Sequence, residues 1–181
     1  MDKSRENQLI RRCQEGDPQA LEELVMLVQK PVYNATYRML GNAQDAADAT
    51  QATFLKVFQN IHNFNPQYRL FSWAYRIAMN ESIDQLKRRD RSTALETTPA
   101  AAGAAPEDQT AASQLADELQ AALMQLTDDQ RSAIVLRYFS DCSYADISRI
   151  LDIPEKTVKS RLFSARQKMK DKLRTQGVHS A

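Results

Sequence analysis

Residues 68–89, YRLFSWAYRIAMNESIDQLKRR, carry apolar side chains on more than one side when wound as an α-helix. Leu70, Trp73, Ala74, Ile77 and Ala78 share one face, and Phe71, Tyr75, Met79, Ile83 and Leu86 share another. A helix that is apolar on two sides belongs inside a small bundle. Between the two faces Ser72, Arg76, Asn80, Asp84 and Arg88 form a narrow polar strip, which runs into the basic end Lys87, Arg88, Arg89 and Arg91. A packed helix that keeps such a strip open is a candidate reading edge; a core helix with a solvated stripe is the plain alternative.

The elements before this stretch are also helical in pattern. Leu9, Ile10 and Cys13 mark a short amphipathic helix ending at Gly16, and Asp17-Pro18 supplies an N-cap followed by proline at the first helical position. Leu21, Leu24, Val25, Val28, Val32, Ala35, Thr36 and Met39 predict one long helix to Leu40, with a kink at Pro31 and a stop at Gly41. A third helix, from Ala43 to about Ile61, buries Ala46, Ala49, Thr53, Phe54, Val57, Phe58 and Ile61, and leaves Asp45, Asp48, Gln51, Lys56 and Gln59 outside. Residues 62–67 read as a loop because Asn65, before proline, resists the helical region.

After the central stretch the composition changes to Ala, Thr, Pro, Gly and acidic residues, with hardly an apolar residue larger than alanine. Such a segment cannot bury enough surface to fold alone and predicts a flexible linker. Leu115, Leu119, Ala122, Leu123 and Leu126 then open a second helical unit. Thr127-Asp128-Asp129-Gln130 has the form of a capping box, followed by a helix through Ile134, Val135, Tyr138 and Phe139. Ser143 can cap the next helix, whose residues Tyr144, Ile147, Ile150 and Leu151 face inward, and Asp152-Ile153-Pro154 makes a turn. The last helix, from Glu155 to about Leu173, turns Val158, Leu162 and Ala165 inward. The fold class expected is therefore all-α, two small helical domains over residues 1–91 and 113–181 joined by a linker at 92–112.

Helix, tight turn, helix is the pattern in which the second helix enters the DNA major groove. Its outward residues here are Lys156, Lys159, Ser160, Phe163, Ser164 and Arg166, a mixture of phosphate binders and groups able to meet base edges or a thymine methyl. A basic surface on an ordinary helical hairpin is the alternative. Over the whole chain of 181 residues, Lys plus Arg, 24, nearly cancels Asp plus Glu, 23, so the distribution of charge says more than its sum. The middle is acidic, and residues 155–174 are basic, opposed only by Glu155 and Asp171. Cys13 and Cys142 lack metal or disulfide spacing and read as small hydrophobes, and His62 and His179, with no metal-ligand spacing around them, read as carrying no site. No apolar run approaches the roughly 18 residues of a membrane span, and the chain, with no secretory leader, reads as cytoplasmic. No glycine-rich phosphate loop, metal cluster or Ser/His/Asp set is present, which sets enzyme chemistry aside and predicts no cofactor, metal, catalytic residue or small-molecule substrate.

Taken together, three motifs resemble the bacterial sigma-70 family of RNA polymerase sigma factors, in its minimal extracytoplasmic-function (ECF, group IV) class, over nearly the whole chain. They are Asp45-x-x-Asp48-x-x-Gln51-x-Thr53-Phe54-Leu55, then Phe71-Ser72-Trp73-x-Tyr75-Arg76-Ile77-Ala78-x-Asn80, then Ser143-Tyr144-x-Asp146-Ile147 with Thr157-Val158-Lys159-Ser160-Arg161-Leu162. The resemblance implies a sigma-2-like bundle and a sigma-4-like helix-turn-helix domain. It implies that Asp45, Asp48, Gln51 and Phe58 dock on the beta-prime clamp helices of core RNA polymerase, with the beta subunit as a further contact. It also implies that Phe64, Tyr68, Arg76, Asn80, Asp84, Lys87 and Arg88 capture and hold the minus-10 promoter element. Lys156, Lys159, Ser160, Phe163, Ser164 and Arg166 would then read the minus-35 element as duplex. Such a protein promotes promoter melting, in a stress or envelope response, and is held by an anti-sigma factor, at the nucleoid or at the inner membrane without inserting into it. The chain departs from the family pattern at Ala47 and Ala52, where acids are usual, in the loop 65–69, at Asp152, where glycine is frequent, and at Ser164. A conventional duplex-binding repressor or activator is the rival reading; it leaves the Asp48/Gln51 and Arg76/Asn80 faces without a use.

Overall fold

The computed structural model describes residues 3–93 and 111–175, and among these every regular element is helical. Residues 94–110 of the expected linker, and His179, lie outside the described residues. Eight α-helices follow in order: α1 (Lys3–Gln14), α2 (Pro18–Leu40), α3 (Ala43–Asn60), α4 (Leu70–Thr93), α5 (Ala111–Met124), α6 (Asp128–Ile134), α7 (Tyr144–Leu151) and α8 (Glu155–Thr175). A 3-10 turn, Ile61–Asn63, prolongs α3, and a π-helical turn, Val135–Phe139, prolongs α6.

Local chemistry sets most of the boundaries. Asp17 accepts hydrogen bonds from the Gln19 and Ala20 amides with Pro18 at the first helical position, and Arg12 holds the Asp17 carboxyl below its ordinary range. Gly41 ends α2 in the left-handed conformation, φ 70°, donating its N–H to the Tyr37 carbonyl. Thr127 with Gln130 and Ser143 with Asp146 form full capping boxes. Asp152 adopts φ 54°, so the turn between α7 and α8 uses aspartate where glycine would be easier. Pro31 lies inside α2, which continues past it to Leu40.

The central stretch differs from expectation at its start. α4 begins at Leu70, and Tyr68 and Arg69 belong to the preceding loop. From there α4 packs against α2 and α3 on one side and α7 on the other. One apolar cluster gathers Leu9, Ile10, Cys13, Leu24, Val28, Val57, Leu70 and Ala74; a second joins Met39, Leu40, Tyr75, Met79 and Leu86 to Leu123, Ile134, Leu136, Ile147, Val158 and Leu162. The second cluster crosses between the two halves of the chain, and half-buried Phe71 touches both. Leu115, one of the apolar residues that mark α5 in the sequence, is exposed, while Ala122, Leu123 and Leu126 are buried.

Polar groups complete the junction. Arg131, 4% exposed, donates to the carbonyls of Met39 (Nη1, 2.8 Å), Leu123 (Nε, 3.0 Å) and Leu126 (Nη2, 2.9 Å). It thereby caps the ends of α2 and α5 together. Gln120 adds bonds from its Nε2 to the Tyr37 and Arg38 carbonyls. An exposed ion pair contributes under about 1 kcal/mol, whereas carbonyls stripped of a buried charged donor lose roughly 1–3 kcal/mol each. Arg131→Ala is therefore expected to lower the unfolding free energy by about 3 kcal/mol or more in urea titration; a change within 0.5 kcal/mol would show that water replaces the guanidinium at no cost.

Candidate nucleic-acid interface

α4 brings the strip to the surface because its two other sides are covered. Arg76, Asn80, Asp84, Lys87 and Arg88 are exposed on it, and Ser72 is half-buried. Asn80, Asp84 and Lys87 line a concavity with Lys56, Glu81 and Asp129, in which Lys56 pairs with Glu81. The strip thus offers an amide and alternating charges, suited to hydrogen bonds with unstacked bases and phosphates.

The loop before α4 is held more firmly than its composition suggests. Phe64 is 5% exposed and meets Trp73 edge-on at 5.1 Å between ring centroids. The structure therefore makes Phe64 a core anchor under the loop, in contrast to the base-contacting role expected of it. Tyr68, 47% exposed, remains the open aromatic of the loop, and Trp73 is half-buried behind it. Tyr68, Ser72, Trp73 and Arg76 face Arg149, Ile150 and Asp152 across a cavity of about 390 Å³. Arg76 reaches over it, its Nη2 3.6 Å from an Asp152 carboxylate oxygen. The turn of the helix-turn-helix thus covers the N-terminal end of the strip.

α7, the turn at Asp152-Ile153-Pro154 and α8 have the helix-turn-helix arrangement. Lys156, Lys159, Ser160, Phe163 and Arg166 are exposed on α8 and Ser164 is half-buried, while Val158, Leu162 and Ala165 are buried. Phe163, 59% exposed, is a large apolar side chain displayed to solvent on this face. Arg161 turns away from this set and pairs with Asp129 at 2.6 Å, fixing α8 against α6. Its charge is committed to the fold.

The outer face of α3 carries Asp48 and Gln51 exposed, and Asp48 accepts a 3.1 Å bond from Gln44 Nε2. Asp45 is half-buried beside Arg89, 3.9 Å away, and Phe58 is half-buried against the apolar core. Leu55, 55% exposed, is a large apolar residue that this face displays, whereas the resemblance implied docking through Phe58, which the helical pattern itself turns inward. Helical spacing from Asp48 and Gln51 would have found it.

A multi-helical DNA-binding protein with two separate reading surfaces is the class these features define. Sigma-70 region 2 matches residues 15–92, and Sigma-70, region 4 matches residues 116–169. The ECF RNA polymerase sigma factor SigW of Bacillus subtilis is 32% identical over 177 residues, spanning 91% of this chain and 95% of that protein. RNA polymerase sigma-H factor of Pseudomonas aeruginosa is 31% identical, spanning 90% of each chain. The sigma factor RpoE of Bartonella quintana, solved in complex with the anti-sigma factor NepR, superposes with a TM-score of 0.74 at 25% identity, over 84% of this chain and 96% of that one. The chain belongs to the ECF sigma factors of RNA polymerase, which direct promoter-specific transcription initiation.

Among the described residues no cluster of His, Cys, Asp or Glu could hold a metal ion, and no helix is long and apolar enough to cross a membrane. Cys142 lines a cavity with Arg69, Tyr75 and Asp141, yet burial pushes its thiol up to about 12, so it is protonated across the neutral range. Burial likewise raises Cys13. Both thiols are expected to resist iodoacetamide at pH 8 in the folded protein and to react in urea; rapid labelling of Cys142 without denaturant would show that the cavity opens readily.

Proposed function

We propose that the protein is a dissociable, non-catalytic promoter-specificity subunit that acts in the cytoplasm with three working surfaces. Asp48, Gln51 and Leu55, with Asp45 and Phe58 behind them, dock on the polymerase beta-prime clamp helices. Tyr68, Arg76, Asn80, Asp84, Lys87 and Arg88 capture and hold unpaired minus-10 bases. Lys156, Lys159, Ser160, Phe163, Ser164 and Arg166 read the minus-35 duplex. The observation that carries this division is the exposure of three chemically different faces, acidic and apolar on α3, amide-bearing on α4 and basic on α8. Unstacking a base costs a few kcal/mol, and stacking on an aromatic group can return roughly 1–3 kcal/mol, which is the use assigned to Tyr68.

The two DNA elements lie roughly 25 base pairs apart, on the order of 85 Å at 3.4 Å per pair. Arg76 and Asp152, one on each reading surface, are in contact. The initiating form therefore has the two halves drawn apart, with Arg131 and Gln120 released from α2, while the closed form covers part of the minus-10 strip. An anti-sigma partner, such as the one bound to the similar RpoE, would favour the closed form. The 92–112 segment is the tether between domains 1–91 and 113–181.

Lys159→Ala should weaken minus-35 duplex binding by roughly 1–3 kcal/mol if the lysine pairs with guanine, and uniformly across sequences if it touches phosphate alone. Asn80→Ala should spare duplex binding and impair open-complex formation, read by permanganate footprinting; equal loss in both assays would refute this division of labour. Asp48→Ala with Gln51→Ala should abolish co-purification with core polymerase while leaving the helical circular dichroism intact, and undiminished co-purification would remove α3 as the docking face.

A further inference from the structure

The first backbone N–H of α4 needs an acceptor that its own cap cannot supply. Arg69 occupies the N-cap position, its carbonyl accepting from Trp73 at 3.1 Å, and arginine carries no side-chain acceptor. The Leu70 N–H is buried and donates to the Glu6 carboxylate, which comes from α1, 64 residues earlier in the chain. Glu6 is 2% exposed, and its charge also lies where the positive end of the α4 dipole favours an anion. Two further α1 side chains hold the same segment. Lys3 Nζ donates to the Gln67 carbonyl at 3.2 Å, and Gln14 Nε2 donates to the Ile61 carbonyl at 2.9 Å.

These three bonds fall at 61, 67 and 70 and so bracket the loop that displays Tyr68. Within the loop, Asn65 Oδ1 accepts from the Gln67 N–H and the Asn65 carbonyl from the Tyr68 N–H, while Phe64 is sunk in the core below. The exposed residues Asn65, Pro66, Gln67, Tyr68 and Arg69 therefore stand on a backbone pinned at both ends from α1. We infer that α1, through Glu6 above all, is the positioning element that fixes the loop and the start of the α4 strip for base selection at minus-10. This rests on the reading of that loop as a base-capturing site. A base pocket held too loosely binds DNA through phosphates and loses its preference among bases.

The test uses the full-length protein assembled with core polymerase and a pool of single-stranded DNA oligonucleotides randomised at the central positions, with bound molecules sequenced. A drop in the active fraction lowers the yield of bound DNA but leaves the base preference unchanged, so preference separates positioning from general stability. The unmodified protein should enrich one base at the captured position. Glu6→Ala should keep core binding and cut that enrichment by about fivefold, and Glu6→Gln, which retains an acceptor oxygen, should restore most of it. Should Glu6→Ala fail to fold, Lys3→Ala with Gln14→Ala removes the other two bonds and should likewise flatten the preference. No enrichment by the unmodified protein would overturn the base-capturing reading and the inference with it. Enrichment that survives unchanged in Glu6→Ala, or in the double variant where that is used, would overturn the inference alone.

Discussion

A helix with two apolar sides cannot be covered by a single layer, and the arrangement of the whole chain follows from that property of α4. α2 and α3 cover one side, and the apolar cluster containing Tyr75, Met79 and Leu86 is completed by residues of α5 to α8. What stays open is the strip between the two contacts. Fully burying a large apolar side chain stabilises by roughly 1.5–3 kcal/mol, so the apolar cluster outweighs exposed ion pairs such as Arg76 with Asp152 in holding the halves together. Arg131 adds orientation to this contact, since its fork meets three carbonyls at the ends of two helices only when α2 and α5 are correctly placed.

Much of this was legible in the sequence because helix ends are local. Asp17-Pro18, Thr127 to Gln130, Ser143 to Asp146 and the left-handed Asp152 each act within a few residues, and each performs the task its spacing suggests. The helical class and the exposure of Lys159, Phe163 and Asn80 follow from periodicity in the same way. Glu6, Arg131 and Thr50, whose hydroxyl lies 3.0 Å from that of Thr36, were not legible. They are polar residues in amphipathic patterns whose partners lie on other helices, and nothing in their neighbours marks them as buried. Phe64 was misjudged for a related reason: an aromatic in a polar loop reads as available.

Stability and function draw on the same helices in different ways. On α8, Arg161 pairs with Asp129 while Lys156, Lys159 and Arg166 face outward, so one basic helix divides its charges between the fold and the solvent-exposed face. On α4, the buried sides hold the bundle and the strip is left for recognition. The two surfaces meet at the Arg76–Asp152 contact, and under the function proposed above this contact yields when the protein spans a promoter.

The most direct measurement is run-off transcription with core polymerase from the same organism on a pool of genomic fragments, with and without the protein. Discrete new transcripts that appear only when the protein is added, and whose upstream sequences align into two separated elements, are the expected result. Unchanged transcription together with tight duplex binding by the protein alone would contradict it and would make this chain a conventional DNA-binding regulator.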